Sequence, residues 1–281
     1  MKGIGSICSI VLSLLLVVGL HEMGHAIAAT IFGVKIQRIS IGFGQALLSW
    51  RDKRGIEWVW ALWPLGGFVT LLNSRIETVT PDLEGCCFDK KPIWVRSVIL
   101  ISGAGANVLT AWVALILMLV LGYKQTPPVI ARVLPVSISA QSGLVAGERI
   151  VSIQGQSTST WQEVSRQLIM GFGQTHLSVV LVDANDHKHH RVLDLSRWHY
   201  YSGKRASLLL SLGIRPDVTI LNTQYVPGVS VWQASQRSCV MIGQFLWFYL
   251  LLLKQLVLGI LPFSLLLGPL GMFSIHHLSL K

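Results

Sequence analysis

Charge is what this sequence has least of. Only 13% of its 281 residues are Asp, Glu, Lys or Arg, while 52% are hydrophobic; an ordinary soluble domain carries about 25% charged residues. A shortage on that scale excludes a conventional water-soluble fold along the whole chain and points to a lipid bilayer as partner. Acids are scarcer still, 13 against 23 Lys and Arg, for a formal net charge of +10. This basic excess does not indicate nucleic acid, because it is scattered and forms neither an arginine-rich helix nor a stripe interleaved with aromatic rings. In a membrane protein Lys and Arg gather in short cytoplasmic segments beside the spans, and they report orientation. Cysteine is sparse as well. Cys8, Cys86, Cys87 and Cys239 have no C-x-x-C spacing, which excludes a zinc finger or a disulfide framework. Internal repeats and low-complexity tracts are absent.

Long apolar runs alternate with a middle stretch of ordinary polarity, residues 125–230. Residues 3–20 carry no charge, and apolar character resumes at 26–34. About twenty apolar residues cross a bilayer, so residues 1–34 are expected to form a first transmembrane helix rather than a cleaved signal peptide. Residues 35–96 hold nine Lys or Arg against six acids, which makes this segment cytoplasmic by the positive-inside rule. Within it, residues 56–72 (IEWVWALWPLGGFVTLL) are rich in Trp and Val and are interrupted by Pro64, Gly66 and Gly67. That composition suits strands or a re-entrant hairpin sheltered inside the protein.

Residues 97–122 read as a second span, with Gly103, Ala104, Gly105 and Ala106 allowing close approach of another helix. Asn107 follows. Its amide serves either an interhelical hydrogen bond or a contact to substrate backbone or a metal-site group. In residues 123–230 short strand patterns (128–133, 148–153, 177–182), a turn at 142–144 and a helical pattern at 161–170 describe a compact α+β module outside the cytoplasm. Residues 231–281 contain a third span at 239–253 and, past Lys254 and Gln255, a shorter apolar segment broken by Pro262 and Gly268-Pro269.

The chemistry concentrates at His21-Glu22-Met23-Gly24-His25. On a helix, His21 and His25 project from one face a turn apart, as two ligands of one zinc ion must. Glu22 beside them can take a proton from water activated by the metal and pass it to a departing amine. Two His and a Glu inside an apolar run are costly to leave unpaired, so they mark a functional site. Residues 3–21 rise about 27 Å at ~1.5 Å per residue, which places the motif toward the cytoplasmic side of a core about 30 Å thick.

With these landmarks in order, the chain resembles the site-2 class of intramembrane metalloproteases, in particular its bacterial RseP-type branch. HEMGH is similar to that family's zinc-binding first span, and Ser40 to Gly44 resembles the turn after it. Pro64-Leu65-Gly66-Gly67-Phe68-Val69 resembles the membrane-re-entrant β-loop that presents substrate as an extended strand. Ser102 to Asn107 resembles a Gly, Pro and Asn motif, with Ala104 where the family has proline. Ser142-Gly143-Leu144 with Gly147 to Ile150 resembles a PDZ signature, and Leu267 to Gly271 a segment after the third span.

The resemblance implies a polytopic α-helical membrane protein of the bacterial inner membrane, with a re-entrant β-loop and one inserted, extracytoplasmic α+β PDZ-like domain. It implies Zn2+ held by His21 and His25, catalysis by Glu22, and substrate binding by Asn107, Gly66, Gly67 and Phe68. Substrates would be single-span membrane proteins such as anti-sigma factors or signal-peptide remnants. The family's third ligand is an Asp on a later span. Here no Asp or Glu follows Asp217, and a shortened, inactive relative serving as a membrane-anchored PDZ module is the alternative. His276 and His277 are expected to be solvated, and His187, His189 and His190 to form a solvated loop.

Overall fold

The computed structural model describes residues 2–171, 173–196, 198, 208–217 and 223–259. The chain divides into two compact units, Met1–Leu115 and Ile116–Lys281.

The first unit begins with α1 (Lys2–Ile31), 30 residues, or about 45 Å of helix. The helix stops at Gly33, whose φ of 64° suits a residue without a Cβ. Val34 N–H then reaches back to the Ala29 carbonyl at 2.8 Å, satisfying one of the helix's last acceptors. Two long antiparallel strands follow, β1 (Ile36–Arg51) and β2 (Glu57–Leu71). Both bend. Arg38 lies opposite Glu57 and also opposite Thr70, while Ile41 lies opposite both Trp60 and Gly67. The first part of β1 is therefore flanked on both sides by parts of β2, and its last part, 46–51, returns along 57–61. Gly42 makes the bend in β1 possible: its φ is 94°, and a Cβ there would stand 2.9 Å from the carbonyl oxygens of Ala61 and Trp63.

The sequence suggested strands or a re-entrant hairpin over 56–72. That segment is a strand, β2, and its partner is not within it but is β1, which runs through residues 40–44, read as a turn. Helix α2 (Ile93–Leu121) follows, and its residues as far as Leu115 belong to this unit. It begins four residues before the expected span, directly after Pro92, which is compatible with a helix start because it has no N–H to leave unpaired. Ala26, Ala29, Val34 and Ile36 pack with Val95 and Ile99.

The second unit contains β3 (Tyr123–Gln125), β4 (Ile130–Val133), α3 (Ile138–Gln141), β5 (Arg149–Ile153), β6 (Gln156–Ser157), α4 (Trp161–Met170), β7 (His176–Val182), β8 (Lys188–Asp194), α5 (Leu208–Ser211), β9 (Ile214–Pro216), β10 (Gln224–Val226) and α6 (Val231–Val257). A four-stranded sheet runs β6-β5-β7-β8, and β4 pairs with β9. Helix α4 starts at Thr160, whose hydroxyl accepts from Glu163 N–H, while Glu163 accepts from Ser159 N–H at 2.6 Å. This reciprocal arrangement fixes the first turn. Its buried residues Trp161, Val164 and Leu168 form one apolar face over Ile150, Leu177 and Leu181.

His187 lies in the turn before β8, whereas His189 and His190 belong to β8 itself, not to a solvated loop. Helix α6 also departs from expectation. It starts at Val231, capped by the Ser230 hydroxyl, and runs without a break through Lys254 and Gln255 to Val257. Helical hydrogen bonding is a backbone property, so polar residues flanking an apolar run need not end it. The segment 267–271 and His276 and His277 lie outside the described residues.

Among the described residues, three helices are long and apolar enough to cross a membrane: Cys8–Ile31, Ile93–Leu121 and Val231–Val257. Their apolar side chains largely face outward, among them Leu12, Ile31, Leu100, Leu117 and Leu250. In water such surfaces would be strongly unfavourable, whereas a bilayer solvates them.

Candidate metal centre

His21, Glu22 and His25 all lie on α1. The 3.6-residue repeat brings the two imidazoles to one face, with ring centroids 4.8 Å apart and planes nearly perpendicular at 84°. Their Nε2 atoms converge to 3.2 Å. Each ring's other nitrogen is held from α2. His25 Nδ1 donates to the Ile99 carbonyl at 2.7 Å. Since a carbonyl only accepts, Nδ1 carries the hydrogen and Nε2 keeps its lone pair. His21 Nδ1 lies 3.2 Å from Asn107 Nδ2. Both rings are half-buried, and Glu22 is buried at 8% exposure. Its carboxylate makes no hydrogen bond among the described residues, which leaves it free to exchange a proton.

Glycines bring the surrounding backbone close. A Cβ on Gly24 would stand 2.6 Å from the Ser102 carbonyl oxygen and 2.7 Å from Ala106 Cβ. The two helices can therefore cross here only because position 24 has no side chain. Gly103 faces the imidazoles directly: a Cβ there would collide with His25 Nε2 and lie 2.7 Å from His21 Nε2. The space before the two Nε2 atoms is thus kept clear by a missing side chain. Gly67 of β2 closes another side, with a Cβ there falling 2.9 Å from Glu22 Cγ and 2.7 Å from the Ser40 carbonyl oxygen.

These features fit a metal ion. Two imidazole nitrogens converge, a cleared volume lies in front of them, and hydrogen bonds on the far ring nitrogens orient both rings, as such ligands require. Among the described residues, no group of three His, Cys, Asp or Glu side chains capable of sharing an ion occurs.

Of the expected site residues, the structure brings His21, Glu22, His25, Asn107 and Gly67 together. Gly66 and Phe68 are placed differently. Gly66 abuts the ring of Phe43, and Phe68 stacks on that same ring, with centroids 6.2 Å apart and planes 19° apart. Gly24, Gly103 and the Ile99 carbonyl are additional components. The small-residue run around Gly103 hinted at close helix contact, but a main-chain acceptor such as Ile99 leaves no trace in residue type.

The model of peptidase family M50 matches residues 9–280. The chain belongs to this family. It is 34% identical to Protease RseP of Yersinia pestis over 237 residues, covering 83% of the chain and 52% of that protein. With Regulator of sigma-E protease RseP of Escherichia coli it shares 34% identity over 211 residues, 75% of the chain and 47% of that relative. A protein named as a zinc metalloprotease in Pasteurella multocida is 32% identical over 217 residues, 77% of the chain and 49% of its own length. This M50 chain spans about half the length of the curated relatives it matches, and HEMGH lies within the region matched by the family model.

Proposed function

We propose that this M50 chain carries the zinc site of an intramembrane endopeptidase that cuts transmembrane segments of single-span membrane proteins. The observation that carries the reading is the convergence of His21 and His25 Nε2 at 3.2 Å on a helix able to cross a bilayer. His21 and His25 hold the ion, and zinc bound there supplies Lewis acidity toward water and the scissile carbonyl. Glu22, the neighbour of His21, accepts the proton that water gives up and delivers it to the departing amine. The apolar surroundings keep bulk water away from this exchange.

Gly67 lets the β2 main chain pass close to Glu22, a position from which a re-entrant β-loop aligns an extended substrate strand through backbone hydrogen bonds. Gly66 and Phe68 shape that loop through Phe43 rather than touching the ion site. Residues 123–230 serve as a PDZ-like, extracytoplasmic gate, and residues 35–96 face the cytoplasm of a bacterial inner membrane, in keeping with their basic excess. Of the relatives reported above, that of Escherichia coli is named for regulating sigma-E. Anti-sigma factors are accordingly one substrate class and signal-peptide remnants another.

The test is cleavage of a single-span reporter by the full chain in proteoliposomes, with zinc measured in the same samples. Glu22→Gln is expected to abolish cleavage while retaining zinc and membrane insertion, whereas His21→Ala loses both zinc and cleavage. Cleavage by Glu22→Gln at the parental rate would falsify the role of Glu22.

A further inference from the structure

The sequence leaves Asn107 between an interhelical bond and a contact to substrate backbone or a metal-site group, and the family resemblance implies substrate binding, but the geometry points to the ion site. Its amide lies 3.2 Å from His21 Nδ1 through Nδ2, while the other end, Oδ1, is buried without a hydrogen-bond partner. The hydrogen bonds of the three side chains fix a proton pattern. His25 Nδ1–H donates to Ile99, so His25 Nε2 accepts, and the 3.2 Å approach of His21 Nε2 makes that atom the donor. His21 Nδ1 is then the acceptor for the Asn107 amino group. An ion shared by both rings needs a lone pair on both Nε2 atoms. The hydrogen of His21 must therefore sit on Nδ1, where an amino group can no longer donate. Exchanging the two ends of the Asn107 amide answers this: Oδ1 comes to Nδ1 and gains the donor it lacks. The two orientations occupy nearly the same volume, so the exchange requires no movement of α2.

We propose that Asn107 is a positioning residue for His21. Its carboxamide oxygen accepts the Nδ1 hydrogen and so turns the Nε2 lone pair toward the ion, as the Ile99 carbonyl does for His25. This rests on the zinc-site reading above and changes the assignment of Asn107 from substrate contact to support of a ligand. The side chain stands on α2 one turn beyond Gly103, so one stretch of that helix both clears the ion's place and orients a ligand.

The experiment is competition for zinc between a chelator and the purified full chain in detergent, comparing wild type, Asn107→Leu, Asn107→Asp and His21→Ala. Asn107→Leu removes the acceptor at similar volume and is expected to weaken zinc binding by about 10- to 100-fold, the range typical for loss of a ligand's hydrogen-bond partner. Asn107→Asp keeps an oxygen at the same place and is expected to bind at least as tightly as wild type. Equal affinity of Asn107→Leu and wild type, with His21→Ala impaired, overturns the inference alone. A wild type that takes up no zinc, or that binds no better than His21→Ala, overturns the zinc-site reading and the inference with it. Should Asn107→Leu not be recovered folded, Asn107→Asp decides, and a tenfold loss in that variant overturns the proposal.

Discussion

Gly103 stands so near His21 that a Cβ added to it would lie 2.7 Å from the imidazole Nε2, closer than side-chain carbons approach such atoms. The same Cβ would collide with His25 Nε2. An alanine at 103 must therefore push one ring aside or separate α1 from α2, and a well-packed crossing resists both. Gly103→Ala is expected to lower zinc affinity by about tenfold or more, since ligand sites tolerate little displacement. Gly105, two residues along the same helix, has nothing within 4 Å of its Cβ position, so Gly105→Ala is expected to bind zinc as wild type does. Chelator competition on the pair measures the difference, and equal affinities would mean that the cleared volume is not the ion's place.

Gly66 and Gly67 are adjacent, yet the structure separates their roles. A Cβ at 67 would meet a backbone carbonyl, that of Ser40, at 2.7 Å and the Glu22 side chain at 2.9 Å. The three atoms nearest a Cβ at 66 all belong to the ring of Phe43, which is 46% exposed and has room to rotate. Gly67→Ala should thus displace β2 from Glu22. Cleavage of a single-span reporter is expected to fall by about tenfold or more while zinc is retained, because small misplacements near a reacting centre are costly. Gly66→Ala should cleave within about threefold of wild type on the same argument, since its obstacle can move. Rates of the two variants measured side by side check this, and a more damaging Gly66→Ala would place the loop differently.

The histidine pair was legible in the sequence because its geometry is local: four residues on a helix place two rings on one face wherever that helix lies. Helix α4 was legible for the same reason, since Thr160, Glu163 and the spacing of Trp161, Val164 and Leu168 specify it within a dozen residues. β1 was not. Its bend at Gly42 reads as a turn, and its other half gains its pairing from residues 57–61, a relation the local pattern does not contain. The part played by Gly103 was equally hidden, because a small residue shows that something approaches, not that the approaching groups are two imidazoles of another helix. Asn107 was left between an interhelical bond and a contact to substrate backbone or a metal-site group, because residue type alone does not show that its amide lies 3.2 Å from His21 Nδ1 on the neighbouring helix.

The interior of the second unit offers a test that needs no assumption about zinc. Leu181 of β7 is fully buried in the main sheet, whereas Val192 of the adjacent β8 is 54% exposed. Leu181→Ala leaves a cavity among Ile150, Leu168 and Leu177, and is expected to destabilise by about 2–5 kcal/mol. Val192→Ala should change stability by no more than about 0.5 kcal/mol, as surface substitutions usually do. Thermal unfolding of the full chain in detergent compares them, and similar midpoints would contradict the described core.

Asp183 gives this unit an acid-sensitive turn. Its carboxyl is held down to about 2, from an ordinary 3.8, first by the backbone N–H of His187; the His189 ring and Asn185 N–H also contribute, while partial desolvation opposes them. The bonds are at 2.9 Å from His187 N–H and 2.8 Å from Asn185 N–H, both to Oδ1, with the His189 ring 3.3 Å from Oδ2. A carboxyl with a lower pKa folded than unfolded binds protons more readily when unfolded. Its stabilising contribution is therefore complete above about pH 4 and is lost as pH falls toward about 2. Asp183→Ala removes that contribution and the associated pH dependence together. The expected result is a variant less stable than wild type at pH 6, with the gap in unfolding midpoint shrinking between pH 4 and 2. A gap that stays constant over that interval would show that the turn holds its shape without the ionised carboxylate.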